Sequence, residues 1–388
     1  MQAQITEARK SKKIGILIHS GTQLFSNGII QNAYFIMQCF EQLGLACQFL
    51  CHEENPEKFD YKGLTLQQIS TNQLVFNPRE FHTIITVSRG MSKEMYTYLK
   101  SFKIYIAGFI CGNSLMHDCE DFVRGPFFKG QSTHIGKRSP VDDLWVIPSY
   151  KHALEYISLI RGAPSYTVPH LWSPCIVEAV VESVMKKPIS DLYYNYANHN
   201  GKKIDILVLE PNIALFKNAW IPIVAAEHLH TRFPDLIENV YVFNFPEIEH
   251  AYAMLDHLTI NSKIRKFKRL AIPDILVHFN QKSTFPIIAS HQVLNGLNYV
   301  YYEALYYGWP LVHNSTDMGK CGYIYSENDF IGCANAIMDA YTSHNRRVES
   351  YKDEAREFMS CVDPLDPSVG KIWDQLINAG LSKSLVQE

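Results

Sequence analysis

The chain has 388 residues, of which 47% are hydrophobic, and its formal net charge at pH 7 is −3. This length supports a sizeable core and predicts two domains or one large one. Because the net charge is near zero, the composition excludes binding to nucleic acid through overall charge and leaves that role to a local basic patch.

Cysteine usage and the N-terminal residues indicate the compartment. The nine cysteines are scattered through apolar runs without a Cys-x-x-Cys pair. This pattern is typical of reduced thiols and predicts neither a disulfide framework nor a zinc site. The first apolar stretch, residues 14–18, is too short for a signal-peptide core or a membrane span. We therefore expect a soluble, cytoplasmic protein.

The first part of the chain alternates short apolar runs with helical patterns, which is the rhythm of a βαβ fold. Strands are predicted at 14–18, 46–51, 83–87, 104–109, 144–147 and 166–168, and helices at 28–43, 92–100 and 149–160. We therefore predict an N-terminal Rossmann-like domain over residues 1–172.

A second α/β pattern follows a polar segment. Residues 173–202 end in a run of turn-forming residues and are predicted to be a linker. Strands are predicted beyond it at 204–209, 240–243, 275–278, 287–289 and 311–313, with a helical tail from Asp329. These elements predict a C-terminal Rossmann-like domain over residues 203–366, followed by a helical segment at 367–388.

Candidate residues of the first domain follow two predicted strands, because parallel sheets bind ligands at the carboxyl ends of their strands. The loop after strand 14–18 and the segment after strand 104–109 supply Gly21, Ser26, Asn27, Gly28, Asn113, His117 and Asp118. The loop opens onto a helix and can approach a polar ligand through its N–H groups, but it is also an ordinary connection without the Gly-x-Gly-x-x-Gly pattern. His117 and Asp118 are acid–base candidates, with Asp118 as a base for a hydroxyl group. The alternative is that Asn113 or Asp118 caps a helix.

The second domain places polar residues in the same way. Lys217 and Asn212 follow strand 204–209, and His291, Asn314 and Ser315 follow later strands. A solvated loop lysine and a histidine bonded to backbone are the ordinary alternatives. No metal-binding motif occurs at a supporting position, so we expect a metal-free site.

Five basic residues crowd into seven positions of the second domain. They are Lys263, Arg265, Lys266, Lys268 and Arg269. Together they provide several phosphate contacts if they line a groove. The alternative is a solvated helix face.

Residues 295–310, N-G-L-N-Y-V-Y-Y-E-A-L-Y-Y-G-W-P, place a single carboxylate in an apolar helix that precedes a strand. The segment resembles the signature E-G-F-G-x-x-x-x-E-A-x-x-x-G-x-P of retaining GT-B glycosyltransferases of the glycogen-synthase and sucrose-synthase group. Glu303 matches the second Glu, whereas Asn295 occupies the position of the first. The resemblance implies a GT-B fold, in which two Rossmann-like domains face their parallel sheets across a cleft and the last helix crosses back to the first domain.

The resemblance also implies roles for residues. Glu303 would hold the donor ribose and Lys217 the donor diphosphate, while Asn212 stands where that family has an Arg. The remaining donor contacts are expected from Asn295, Gly296, His291, Asn314 and Ser315. Retention of configuration is implied by the resemblance alone.

Several segments are similar to a domain-of-unknown-function family of bacteriophages and proteobacteria with GT-B-like features. They are residues 26–32, 168–172, 210–212, 295–305 and 310–315. Asn212 and Asn295 belong to that family's own pattern, which implies a variant donor site.

These patterns predict a metal-independent glycosyltransferase that uses a nucleotide sugar, expected to be a UDP-sugar, and no other cofactor. The expected acceptor is a hydroxylated pyrimidine in double-stranded phage DNA, flipped out of the stack in the host cytoplasm. The alternatives are a surface polysaccharide or lipid-linked glycan as acceptor, a non-catalytic nucleotide-sugar-binding protein, and a sugar-nucleotide epimerase on the same scaffold.

Overall fold

The computed structural model divides into two compact units. It describes residues 2–19, 28–54, 58–61, 64–72, 76–88, 90–124, 140–199, 201, 203–212, 214–245 and 249–386. Unit 1 consists of residues 1–183 and 360–388, and unit 2 of residues 184–359. The change from unit 1 to unit 2 falls inside the segment 173–202 that was predicted to be a linker.

Within its described residues, unit 1 contains one eight-stranded sheet with the order β3-β4-β2-β1-β5-β6-β7-β8. The strands are β1 (Lys13–Leu17), β2 (Cys47–Cys51), β3 (Lys58–Tyr61), β4 (Leu64–Ser70), β5 (Phe81–Val87), β6 (Tyr105–Ile110), β7 (Asp143–Val146) and β8 (Ser165–Thr167). The helices are α1 (Gln2–Ser11), α2 (Gly28–Gln42), α3 (Lys93–Lys100), α4 (Ser114–Arg124), α5 (Leu154–Arg161) and α6 (Cys175–Val180). Only the β3–β4 pair is antiparallel among these described strands. The central strands are largely buried and rich in apolar residues, and Ile16, Ile85 and Ile106 are fully buried, which is why the sequence pattern could predict them.

The described residues of unit 2 contain a six-stranded parallel sheet with the order β11-β10-β9-β12-β13-β14. The strands are β9 (Ile204–Val208), β10 (Ile237–Val242), β11 (Ile264–Lys266), β12 (Phe285–Ala289), β13 (Leu311–His313) and β14 (Tyr323–Ile324). The helices are α7 (Trp220–Arg232), α8 (Glu249–Asp256), α9 (Ile272–Asn280), α10 (Tyr299–Tyr306) and α11 (Phe330–Ser360). The strand order reverses between β9 and β12, which is the kind of position where open α/β sheets form a ligand crevice.

Two sequence predictions for unit 2 are wrong. Residues 275–278, predicted to be a strand, lie within α9, because a short apolar run does not distinguish a strand from a buried helix. Pro273 in the first turn of α9 is the overlooked helix-start signal. The basic run is not a helix face either, since it contains the edge strand β11.

The polar segment before β9 is fixed to unit 2. Nδ2 of Asn280 donates to the carbonyls of Asp191 (2.9 Å) and Tyr193 (2.7 Å), and its Oδ1 accepts from the N–H of Asn195 (3.0 Å). Nε1 of Trp309 donates to the carbonyl of Leu192 at 2.7 Å. These hydrogen bonds satisfy backbone groups of residues 191–195 and attach this irregular segment to unit 2.

The last helix, α12 (Pro367–Val386), packs in unit 1 against α1, α2, β5 and β6. Nζ of Lys383 lies 2.8 Å from Oδ1 of the buried Asp143, whose Oδ2 accepts from the hydroxyl of Tyr105 at 2.8 Å. A Cβ at Gly380 would overlap the Tyr105 ring. Close approach of the helix to the sheet therefore requires glycine at this position.

Gly380→Ala should lower the free energy of unfolding by about 1–3 kcal/mol, because the added methyl group overpacks a buried ring. The sign of this change in unfolding free energy identifies overpacking, since alanine otherwise stabilises a helix by about 1 kcal/mol relative to glycine. Urea unfolding measures the effect. The matched control is Gly370→Ala on the same helix, where the neighbouring atoms are the flexible tip of Leu43, at 3.3 Å from the new Cβ. Equal losses in both variants would contradict this packing.

The described residues contain neither a membrane-spanning helix nor a metal-binding cluster. No helix there is long and apolar enough to cross a membrane. In the same part of the chain, no group of three His, Cys, Asp or Glu side chains is arranged to hold a metal ion.

Candidate functional site

Polar side chains collect at the carboxyl ends of β9, β12 and β13, which are neighbours in the sheet of unit 2. Glu210 follows β9, Ser290 and His291 follow β12, and Asn314 and Ser315 follow β13. The reversal of strand order falls between β9 and β12, so these residues surround the expected ligand crevice of this unit.

Glu303 is a buried carboxyl group on α10. The helix begins after Asn298, whose side chain accepts from the N–H of Val300, and ends before Gly308, which has a φ of 76°. The Glu303 residue is 5% exposed, and its Oε2 has no hydrogen-bond partner among the described residues. Burial raises the pKa of Glu303 to about 8. Such an unsatisfied carboxyl group is costly to the fold and typical of a functional site.

The burial of Glu303 predicts a pH-dependent difference in stability between wild type and Glu303→Gln. The pKa rises from 4.5 to about 8 on folding. Between these values the folded chain holds the proton and the unfolded chain does not, so wild-type stability falls as pH rises, by at most about 1.4 kcal/mol per pH unit. Glutamine does not ionise. In urea unfolding, the stability of Glu303→Gln relative to wild type should grow from pH 5 to pH 8 and then level off; a difference that is constant with pH would contradict this.

Lys217 joins the loop after β9 to the segments that follow β12. Its backbone forms bridges with Ala214 and Gln292, and its Nζ donates to the carbonyl of Leu297 at 3.4 Å. Burial lowers the pKa of Lys217, and the nearby carboxylate of Glu210 opposes that shift. Because an ammonium has three donors, Lys217 has capacity to bind an anion besides Leu297.

Glu210 is the acidic partner of Lys217 and is 1% exposed. Its Oε1 accepts from the hydroxyl of Ser290, and the Ser290 Oγ lies 2.6 Å from the Tyr301 hydroxyl. Burial raises the pKa of Glu210 to about 7, against the hydrogen bond from Ser290 and the charge of Lys217.

Asn212 closes the loop that carries Lys217. Its φ is 53°, a left-handed conformation that asparagine tolerates. Its Nδ2 lies within hydrogen-bonding distance of the carbonyls of Glu210, Phe243 and Asn244, and its Oδ1 accepts from the N–H of Ala219 at 2.7 Å. The amide therefore supports the backbone at the start of α7, and Asn212 has this structural role whether or not it also contacts a ligand.

Asn314 and Ser315 hold the loop between β12 and α10. Asn314 exchanges two hydrogen bonds with the backbone of Gln292, at 2.6 and 2.9 Å. The Ser315 hydroxyl donates to the carbonyl of Gly296 at 2.7 Å, and a Cβ at Gly296 would overlap the carboxyl group of Asp317. These contacts fix the backbone around Gly296 and the buried Asn295.

His291 is a buried, neutral histidine. Burial lowers its pKa, and a hydrogen bond with Asn328 opposes the shift. The Tyr325 hydroxyl donates to the carbonyl of Ser290 at 2.8 Å, so Nδ1 of His291, 2.9 Å away, donates to the Tyr325 oxygen. The ring is thereby held at the end of β12.

The candidates of unit 1 divide into those with a structural partner and those outside the described residues. Gly21, Ser26 and Asn27 lie outside the described residues, and Gly28 begins α2. Oδ1 of Asn113 accepts from the N–H of Met116 at 3.2 Å, as a helix cap does, and the His117 ring lies beside Gly112. Asp118 lies on α4, where its Oδ2 accepts from the hydroxyl of Tyr156 on α5 at 2.7 Å.

Lys263, Arg265 and Lys266 of the basic run contact their own unit. Nζ of Lys263 donates to the carbonyls of Pro234 (2.9 Å) and Ile237 (2.6 Å), and Arg265 donates to the carbonyl of Ser262. Nζ of Lys266 lies 4.5 Å from the centroid of the Tyr252 ring, a cation–π contact. Arg265, Lys266, Lys268 and Arg269 are exposed along the β11 edge of the sheet.

A family profile and three solved structures match nearly the whole chain. The profile, described as Protein of unknown function (DUF2827), matches residues 13–377. The chain belongs to the DUF2827 family. This membership confirms the predicted resemblance to a domain-of-unknown-function family. No curated protein matches the sequence.

Solved structures that resemble this DUF2827 protein include the following three glycosyltransferases. Anabaena HepE, in complex with UDP and glucose, is 10% identical over 95% of this chain and 100% of its own, with a TM-score of 0.59. The pneumococcal O-GlcNAc transferase GtfA, in complex with UDP and GlcNAc, is 10% identical over 96% of this chain and 99% of its own, with a TM-score of 0.56. An α-glucosyltransferase in complex with UDP and a 13-mer DNA containing an HMU base is 12% identical over 95% of this chain and 100% of its own, with a TM-score of 0.57. These matches confirm the predicted GT-B fold.

Sequence reasoning missed three residues of the site in this DUF2827 chain, namely Glu210, Ser290 and Tyr301. An acidic residue directly after a buried strand was the available signal for Glu210. For Tyr301, the apolar helix pattern of residues 299–306 indicates a buried ring and says nothing of its hydroxyl group.

Proposed function

We propose that the protein is a glycosyltransferase that binds a nucleotide sugar in unit 2. The observation that carries the proposal is Glu303, a buried carboxyl group with an unsatisfied oxygen on the helix that follows the β12 end. Ribose hydroxyls donate hydrogen bonds to such a carboxylate, and these bonds favour its ionised form despite burial. The Lys217 ammonium supplies the charge for a donor diphosphate.

The similar structures support a nucleotide sugar as the ligand. HepE, GtfA and the α-glucosyltransferase were each solved in complex with UDP. A UDP-sugar is therefore the proposed donor. Transfer without a metal ion is part of the same proposal, since Lys217 provides a cation at the phosphate position.

For the acceptor, we propose a hydroxylated pyrimidine base in DNA. The support is the α-glucosyltransferase, whose complex contains DNA with an HMU base, together with the exposed cations along β11. A glycan acceptor is the second candidate, because cations of the basic run such as Lys263, Arg265 and Lys266 already bond or stack within unit 2. His117 and Asp118 are proposed to act on the acceptor in either case.

The test combines sugar donors with matched acceptors. The protein is incubated with UDP-glucose, UDP-GlcNAc and the corresponding GDP-, ADP- and CMP-sugars, and duplexes containing 5-hydroxymethyluracil or thymine are weighed by mass spectrometry. A sugar mass added to the hydroxymethyl duplex alone supports the proposal. Transfer to lipid-linked or polysaccharide acceptors, with no added mass on DNA, selects the glycan candidate. Donor binding without transfer or donor hydrolysis would show a non-catalytic binding protein.

Salt dependence provides an independent check of the DNA acceptor. If the β11 cations contact phosphates, the logarithm of the DNA association constant should fall linearly with the logarithm of salt concentration. Replacing both Lys268 and Arg269 with Ala should reduce the slope by about two. If the double variant binds DNA with an unchanged salt dependence, DNA contacts the protein at another surface.

A further inference from the structure

Ser290 lies at the centre of a buried hydrogen-bonded chain in unit 2. Its hydroxyl donates to Oε1 of Glu210, and its Oγ lies 2.6 Å from the hydroxyl of Tyr301. A serine has one proton, and here that proton goes to the carboxylate, so Tyr301 donates to Ser290. The chain runs from Tyr301 through Ser290 to Glu210, and all three residues are buried.

Each end of this hydrogen-bonded chain lies near one of the two proposed donor contacts, Lys217 and Glu303. Glu210 begins the loop of Lys217 and interacts with its ammonium. Tyr301 lies two residues before Glu303 on α10. The chain thus ties the Lys217 loop to the helix that presents the Glu303 carboxyl group.

Two further hydrogen bonds hold the backbone of Ser290, and a ring contact holds its partner Tyr301. Its N–H donates to the carbonyl of Val312 at 2.9 Å, and its carbonyl accepts from the hydroxyl of Tyr325 at 2.8 Å. The ring of Tyr301 lies against His313, with 5.2 Å between the ring centroids. A group fixed in this way can transmit its position to both of its hydrogen-bond partners.

We propose that Ser290 is a positioning residue that holds the Lys217 loop and α10 in register, so that one donor molecule meets the ammonium and the Glu303 carboxylate together. The inference rests on the proposed function. A ligand with two anchor points gains affinity when both anchors are already in place, because ordering them on binding is costly. Loss of Ser290 Oγ should therefore weaken a ligand that spans both anchors and spare one that reaches a single anchor.

The experiment compares UDP, which spans both anchors, with uridine, which lacks the diphosphate. By calorimetry, Ser290→Ala should weaken UDP about tenfold and uridine less than twofold. Tyr301→Phe removes the hydroxyl at one end of the same hydrogen-bonded chain and should give the same pattern. It provides a second variant if Ser290→Ala does not fold. Tyr351→Phe is the control, since it removes a buried hydroxyl of unit 2 that donates to the Trp309 carbonyl and lies outside this chain.

A double-mutant cycle separates positioning from general loosening of the fold. In a Lys217→Ala background, Ser290→Ala should weaken UDP less than twofold, because one anchor is already gone. A tenfold loss that persists in that background would overturn the inference. Unchanged UDP affinity in Ser290→Ala and Tyr301→Phe would also overturn it and leave the proposed function standing. Failure of the wild type to bind UDP would instead reject the proposed UDP-sugar site, and this inference with it.

Discussion

Replacing Glu303 with Gln is expected to weaken UDP binding by about tenfold to a hundredfold, the range for losing hydrogen bonds to a charged group. The physical reason is that a buried carboxylate accepts from ribose hydroxyls more strongly than a neutral amide does. Isothermal calorimetry with UDP and uridine measures the effect, and both ligands should lose affinity because both contain the ribose.

The matched control for this variant is Glu238→Gln, which removes an exposed carboxylate of unit 2 that pairs with Lys203 at 2.7 Å. That variant should bind UDP as the wild type does. Wild-type affinity in Glu303→Gln would show that the ribose is bound by other groups and would remove the main support for the donor site.

Replacing Lys217 with Ala is expected to weaken UDP by about tenfold to a hundredfold while changing uridine less than twofold. The ammonium has a phosphate group to contact in UDP and none in uridine, so the ratio of the two affinities isolates its role. Lys203→Ala, at the surface ion pair with Glu238, is the control. Equal losses for UDP and uridine would show that Lys217 supports the fold of the site and does not contact phosphate.

The pH dependence of UDP binding gives a second test of Lys217. Burial lowers the pKa of this lysine, although Glu210 opposes the shift. Its ammonium therefore loses its proton at a lower pH than an ordinary lysine, and UDP affinity should fall over that lower pH range. Lys217→Ala should remove that decline. A decline that persists in the variant would assign it to another group.

The elements around the site could be predicted from sequence because their signals are local. Strands β9, β12 and β13 are short, fully buried runs made mostly of apolar residues. The loop rich in Asn and Gly, the helix with Glu303 and the Gly-Trp-Pro stop follow one another within residues 295–310. Glu303 stands out there as a carboxylate in an apolar helix.

The contacts that complete the site depend on residues far apart in sequence. Ser290 meets Glu210 across eighty positions, and no local pattern specifies that pairing. Asn212 is expected near a diphosphate from its place in a motif, and that motif does not reveal the bonds of its amide to the backbone of the loops after β9 and β10. The short apolar run 275–278 was assigned to a strand because length and periodicity did not separate it from a buried helix.

A crystal structure of the protein with UDP tests the donor site most directly. The account predicts the ribose hydroxyls within hydrogen-bonding distance of the Glu303 carboxylate and the diphosphate beside Nζ of Lys217, at the ends of β9 and β12. A nucleotide bound elsewhere in unit 2, or in unit 1, with Glu303 and Lys217 left without contacts to it, would contradict the account.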